Sequence, residues 1–187
     1  MKLSLETYQF KSQEVIASIG AGGGLWEIGF ASYHEYLIFY IQDIDEGLCN
    51  QEELNEGLAY FERQLGKKLT STFIPVIGTA QHTHLPTNTF DKILLINTLH
   101  EFEYPSEMLG DIWDKLKQEG TLFIEEQLAS YEGEIHEGCN KPLFTEIQLI
   151  KLLAEHHFVN SGITDRGTQV KIMAFNKSSE QEVTNEL

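Results

Sequence analysis

The chain has 187 residues, 41% of them hydrophobic and 11% aromatic, which suits one globular domain with a full core. Its 13 lysines and arginines stand against 29 acids, a formal charge of −16, so it cannot easily raise the basic face that nucleic acid or an anionic membrane requires. No apolar run approaches the roughly 18–20 residues of a membrane helix, and the N-terminal stretch lacks the apolar core of a signal peptide. The two cysteines, Cys49 and Cys139, form no CxxC pattern. These features predict a soluble, cytoplasmic protein with free thiols and no nucleic-acid or membrane partner.

In chain order, short apolar runs at residues 15–19, 37–41, 73–77, 93–97 and 121–125 predict strands. None alternates with period two, as expected of strands covered on both faces. Helices lie between them, the first directly after the glycines that follow residue 19. Asn50 with Glu53 is a capping-box start; Leu54, Leu58, Phe61 and Leu65 mark one face, and Gly66 is the stop. Pro105 and Ser106 open the next helix, with Met108, Leu109, Ile112, Trp113 and Leu116 inward and Gly120 at its end. Thr145 with Gln148 caps another, carrying Ile147, Ile150 and Leu153. Strands and helices alternating in this way predict a mostly parallel sheet with helices on both faces. The C-terminal end differs. Residues 158–164 and 169–175 read as strands joined only by Asp165-Arg166-Gly167-Thr168, too short a link for a parallel crossover, so they must form an antiparallel hairpin. Residues 1–176 are expected to form one domain and 177–187, KSSEQEVTNEL, a polar disordered tail.

The stretch ASIGAGGG, residues 17–24, falls between the first strand and a helix, at the mouth of the sheet where open α/β folds bind ligands. Three glycine patterns compete for it. The phosphate-binding pattern GxxxxGK[ST] fails because no lysine follows. The dinucleotide pattern GxGxxG fails at its third glycine, which would be Leu25. GxGxG is met by Gly20, Gly22 and Gly24. The next strand ends in Asp43 and Asp45, about 20 residues on, where a carboxylate can accept bonds from ribose hydroxyls.

On these residues the chain resembles the class I S-adenosylmethionine-dependent methyltransferases, over roughly residues 15–176. VIASIGAGGGLWEIGFA is similar to that family's first motif and YIQDID to its acidic post-I motif. IGTAQHTHLPTNTFDKILLINTLHEF resembles the stretch from strand three through strand four, and MLGDIWDKLKQEGTLFIEE the helix, turn and strand five that follow. The resemblance implies a Rossmann-like α/β sheet of seven strands, six parallel and one antiparallel in the C-terminal hairpin, with helices on both faces. It implies S-adenosylmethionine as cofactor, held by Ser18, Gly20, Ala21, Gly22, Gly24, Asp43, Ile44, Thr79, Ala80 and Asn97. Ser18 stands where the family usually carries an acid at the end of strand one, and Thr79 where it often carries an aspartate. Only about a dozen residues precede strand one, so the N-terminal helices that cover the cofactor are expected to be largely missing. INTLHEF, with no [ND]PP[YF] after strand four, argues against methylation of nucleobase amino groups.

Methyl transfer from a sulfonium is an in-line displacement, helped mostly by positioning and by a base for weak nucleophiles. His100 and Glu101, after strand four, hold the best place for such a base, although residues there also cap or orient the following helix. The segment 127–140 is long for a loop and is expected to act as a lid, with His136, Glu137 and Cys139 towards substrate. His82-x-His84 and the pair His136 and Cys139 are metal-ligand types, but their partners are undefined and no metal site is expected. His156 and His157 suit the negative end of a helix dipole. The resulting expectation is methyl transfer to a small-molecule substrate, with a mobile lid or a homodimer contact closing the site. The alternative is a noncatalytic relative that keeps the fold as a binding or scaffold module.

Overall fold

The structure is a computed structural model that describes residues 1–178. The chain runs α1 (Lys2–Tyr8), β1 (Val15–Ile19), α2 (Leu25–Ala31), β2 (Ile38–Asp43), α3 (Gln51–Leu65), β3 (Thr72–Ile77), β4 (Phe90–Ile96), a 3-10 turn (Leu99–Glu101), α4 (Pro105–Lys115), β5 (Leu116–Gln127), α5 (Glu146–Glu155), β6 (Phe158–Asp165) and β7 (Val170–Lys177). The strands form one sheet in the order β3-β2-β1-β4-β5-β7-β6. Strands β1 to β5 pair in parallel, whereas β7 is antiparallel to both β5 and β6. Six strands therefore share one direction and β7 alone is reversed.

Both faces of the sheet are covered, which explains apolar runs without alternation. Ala17, Ile19, Ile93, Leu95, Leu122 and Ile124 point to the side of α4 and α5, where they meet Leu109, Ile112, Leu149 and Leu153. Their chain neighbours Ile16, Leu94 and Phe123 point the other way, to Ile28 and Phe30 of α2, Leu54 of α3 and Tyr8 of α1. Both helices start at the expected caps: Thr145 with Gln148 forms a reciprocal capping box, whereas at α3 only one half of the expected box forms, since Asn50 Oδ1 accepts the N–H groups of Glu52 and Glu53 while the Asn50 N–H donates to Leu48 O.

The remaining differences have local causes. Helix α4 stops at Lys115 rather than Gly120, because Leu116 turns to an extended backbone and enters β5. In α5 the inward position belongs to Leu149, with Leu153 one turn on, while Ile147 is 80% exposed. Two residues along a helix is about 200° of rotation, so Ile147 and Leu149 cannot share a face. Helix α1 has no counterpart in the expected elements. At seven residues it is too short to stand alone, and it is held by Tyr8, whose ring packs against Phe10, Phe30 and Phe123. Lys177, expected in the tail, is the last residue of β7 and sets its ammonium 4.0 Å from the centroid of the Trp113 ring. Ser178, also expected in the tail, donates its N–H to His157 O at 2.8 Å, and the remainder, 179–187, lies outside the described residues.

Residues 78–89 cross from β3 to β4 without a helix. The crossing is tethered instead by Thr83, fully buried, whose N–H and hydroxyl both donate to Asp111 Oδ2 at 2.9 and 2.6 Å. Lys115 sits 3.2 Å from the other carboxylate oxygen. Asp111→Ala would leave a buried hydroxyl, an N–H and an ammonium without their acceptor. Thermal denaturation is expected to show a loss of about 3 kcal/mol, a fall in melting temperature of roughly 6–12 °C. An unchanged melting temperature would mean that the crossing is held elsewhere.

Candidate functional site

Strand order reverses between β1 and β4, and their carboxyl ends leave a crevice with two arms. The narrower arm, about 260 Å³, is walled by Ile19, Gly20, Asp43, Ile44, Thr79, Ala80, Thr98 and Met108, among others. The wider arm, about 710 Å³, runs past Gly20, Ala21, Gly22, Trp26, Asn97, Glu125 and Arg166. Gly20, Asp43 and Glu101 line both, so the arms adjoin. Five carboxylates (Asp43, Asp45, Glu101, Glu103 and Glu125) face two cations, Lys141 and Arg166, a balance that favours a positively charged ligand.

The three glycines of the loop do different work. Gly20 has φ of +68°, and a Cβ there would stand 2.0 Å from Thr98 Oγ1, so the start of the loop is clamped against the end of β4. At Gly24, the residue before α2, a Cβ would press on Leu54 and Ile41, which makes this expected ligand residue a packing residue of the helix. Gly22 alone opens onto free space: its φ is +52°, and a Cβ would meet nothing within 4 Å. The N–H of Gly22 donates to Asp43 Oδ2 at 2.8 Å, and those of Ile44 and Asp45 donate to Oδ1 at 2.7 and 3.0 Å. The Asp43 carboxylate is thereby fixed in orientation, with one of its roughly four acceptor positions still open.

Ser18 does not reach the crevice. Its hydroxyl donates to Glu27 Oε1 at 2.7 Å, and both residues are buried. Glu27 Oε2 has no partner among the described residues. Burial pushes the Glu27 carboxyl above the ordinary glutamate range, and the Ser18 bond offsets this only in part. An acid absent from the end of β1 is thus present one element later, from α2. The sequence analysis missed it; the available signal was a charged residue inside the otherwise apolar LWEIGFA.

At the end of β5 two adjacent buried glutamates act on opposite sides. Glu125 accepts from the Tyr8 hydroxyl at 2.6 Å and pairs with the Arg166 guanidinium. Its backbone carbonyl accepts the N–H of Asn97, which has φ of +53° and lines the wider arm. Glu126 accepts the Leu99 N–H at 2.6 Å and His100 Nδ1–H at 2.7 Å, and so fixes the turn after β4. The Glu126 carboxylate raises the His100 pKa above the ordinary histidine value, against the opposing effect of burial. The His100 ring is enclosed rather than open to the crevice, and its Nε2 has no hydrogen-bond partner among the described residues. Glu101 does line the crevice, with Oε1 3.8 Å from His100 Nε2, and His136 packs its ring 4.9 Å from that of His100. The three expected catalytic residues are therefore gathered, from two separate segments.

The segment 127–140 is tied down along its length. Leu128 N–H donates to Gln169 O, Ala129 N–H to Phe144 O, and its tip closes as a small hairpin bridged between Ile135 and Pro142. His82 and His84 separate: His84 Nδ1–H donates to Ile77 O at 2.9 Å, whereas His82 lies 3.7 Å from Asp111.

Two outcomes test these assignments. Gly20→Ala should cost about 2 kcal/mol or more through its clash with Thr98, while Gly22→Ala should cost only the left-handed backbone strain of about 1 kcal/mol; equal melting temperatures would contradict the clamp. Glu27 is held protonated more strongly in the folded chain than in the unfolded one, so it weakens the fold as pH rises above the ordinary glutamate range. Glu27→Gln, always neutral, should melt above wild type near pH 8, by roughly 2–4 °C for each kcal/mol, with the gap closing towards about pH 4. A gap independent of pH would sink this reading.

A family model described as a methyltransferase domain matches residues 18–124, more than half of the chain, from the end of β1 through β5. No curated protein sequence matches it. Among solved structures, a SAM-dependent methyltransferase from Aquifex aeolicus superposes with a TM-score of 0.70 at 19% identity, over 93% of this chain and 87% of its own. The 1,6-didemethyltoxoflavin-N1-methyltransferase of Burkholderia thailandensis, solved with 1,6-didemethyltoxoflavin and S-adenosylhomocysteine bound, gives 0.66 at 18% identity, over 95% and 76%. The 4+2 cyclase SpnF gives 0.69 at 15% identity, over 95% and 80%. At these identities the superpositions speak for the fold, and the family match speaks for the residues that build the crevice. The chain belongs to the class I S-adenosylmethionine-dependent methyltransferases.

Proposed function

We propose that the protein transfers a methyl group from S-adenosylmethionine to a small-molecule acceptor held in the wider arm of the crevice. The observation that carries this is that the two arms adjoin, with Gly20, Asp43 and Glu101 in the walls of both. The residues present suit the cofactor: the free space above Gly22, the oriented carboxylate of Asp43 and the acidic lining all fit a cationic, ribose-bearing ligand. When bound, the cofactor supplies an electrophilic methyl on its sulfonium. Asp43 would accept from its ribose, with Ile44, Thr79 and Ala80 walling the adenine side. Gly20, Ala21, Gly22 and Asn97 would flank the methionine portion.

On the acceptor side, Glu101 is the group free to take a proton, since its side chain is about half exposed (51%) and lines both arms. His100 and His136 stand behind Glu101, away from the crevice surface, where they can position it. Ser18, whose hydroxyl turns to the buried Glu27 at 2.7 Å rather than to the crevice, favours a second reading, a noncatalytic binding module.

Calorimetric titration with S-adenosylmethionine, followed by turnover against a metabolite panel, tests the proposal. Asp43→Ala should weaken cofactor binding by about 1.5–3 kcal/mol, roughly 10- to 150-fold in Kd, and Asp45→Ala by less. Glu101→Gln should lower kcat and leave cofactor affinity nearly intact, the split that marks a role in chemistry. Tight cofactor binding with no methyl transfer to any acceptor would favour the binding module instead.

A further inference from the structure

We propose that His100, His136 and Cys139 form a site for a zinc-like divalent cation on the acceptor side of the crevice. Read along the sequence, His136-x-x-Cys139 has no partner. The fold supplies one by bringing His100 from the turn after β4 against the hairpin tip, so that one donor atom from each residue lies within 4.8 Å of the others. His136 Nδ1 and Cys139 Sγ are already 3.2 Å apart. Two donors on one tetrahedral zinc, with bonds of about 2.0–2.3 Å, stand about 3.3–3.7 Å apart, so the cluster needs only a small contraction.

Three features separate this cluster from an accidental grouping. The His100 side chain is 1% exposed, yet its Nε2 has no hydrogen-bond partner among the described residues, the Glu101 carboxylate lying beyond hydrogen-bond reach at 3.8 Å. Its other nitrogen is held by Glu126 at 2.7 Å, the carboxylate–histidine arrangement that fixes ring orientation and strengthens Nε2 as a metal ligand. The hairpin is also preorganised: His136 N–H donates to Lys141 O at 2.8 Å, Asn140 N–H to His136 O at 2.9 Å, and Ile135 bridges Pro142. Gly138 lets the chain fold over the imidazole, since a Cβ there would lie 3.1 Å from the His136 ring. Two imidazoles and a thiolate fill three positions of a tetrahedral ion, and the fourth is left for a water or for Glu101, whose Oε1 is 3.8 Å from His100 Nε2.

The site stands on its own donors and does not rest on cofactor binding, so the two can fail separately. The full chain, equilibrated with zinc and dialysed against metal-free buffer, should retain one equivalent by elemental analysis. Cobalt(II) put in its place should show a thiolate-to-metal charge-transfer band. Cys139→Ser, a substitution on the partly exposed hairpin, should abolish that band. Glu126→Gln should weaken zinc binding about 10- to 100-fold, and Cys139→Ser by more. His100→Ala risks the fold, because it leaves Glu126 buried without its partner, so His136→Ala serves as the second ligand variant. Titration of each variant with S-adenosylmethionine reads the glycine loop independently. Wild-type protein that retains no zinc and gives no cobalt band, or a Cys139→Ser variant that binds zinc as tightly as wild type, would overturn the proposal.

Discussion

Everything at the site depends on one topological constraint. After β1 the chain lays β2 and β3 to one side, then returns to place β4 on the other, and no connection bridges the carboxyl ends of β1 and β4. Backbone that leaves β1 there must turn sharply to reach α2, and it must do so against β4. Gly20 satisfies both demands, because its left-handed φ makes the turn and its bare Cα admits Thr98. Once the loop is clamped at Gly20, Gly22 faces the crevice and its N–H orients Asp43 from the neighbouring strand. The course of the glycine loop and the orientation of the Asp43 carboxylate thus both follow from a single steric contact.

Around this crevice the fold buries charge, which an isolated hydrophobic core would avoid. The compensation differs from residue to residue. Glu126 is satisfied by a backbone N–H and an imidazole, and Glu125 by a phenol and a guanidinium. Glu27 receives one hydroxyl, its other oxygen has no partner among the described residues, and burial pushes its carboxyl above the ordinary glutamate range. Such groups contribute little to stability relative to apolar replacements. Their contribution is position: Glu126 determines where the turn after β4 runs and which way His100 faces. The pairs also join elements distant in sequence, since Tyr8 of α1 and Arg166 of the hairpin link meet on the same carboxylate of β5.

The charge balance carries through to ligand choice. A chain of net charge −16 repels phosphate backbones, and the same excess appears at the crevice as five carboxylates against two cations. A sulfonium cofactor is favoured there. The donors of the His100 cluster lie beside that field, so a divalent cation is drawn to the neighbourhood in which the acceptor would sit.

Much of this was legible in the sequence, because the signals involved are local. The apolar runs marked the central strands, the capping residues marked α3 and α5, and a four-residue link compelled β6 and β7 to run antiparallel. The glycine spacing and Asp43 at the end of β2 located the crevice before any coordinates. Boundaries failed where tertiary packing overrode local preference: Leu116 left its helix to enter β5, Leu149 displaced Ile147 from the inward face, and α1 exists only because Tyr8 is buried by partners far along the chain. The separate duties of Gly20, Gly22 and Gly24 could not be read either, since each depends on what stands opposite its missing Cβ. Nor could Glu27 be matched to Ser18, or His100 to His136 and Cys139. Periodicity, caps and short links act within a few residues and are written in the sequence itself. Which charged group finds which partner is set by contacts between residues tens of positions apart, and only the folded sheet brings those together.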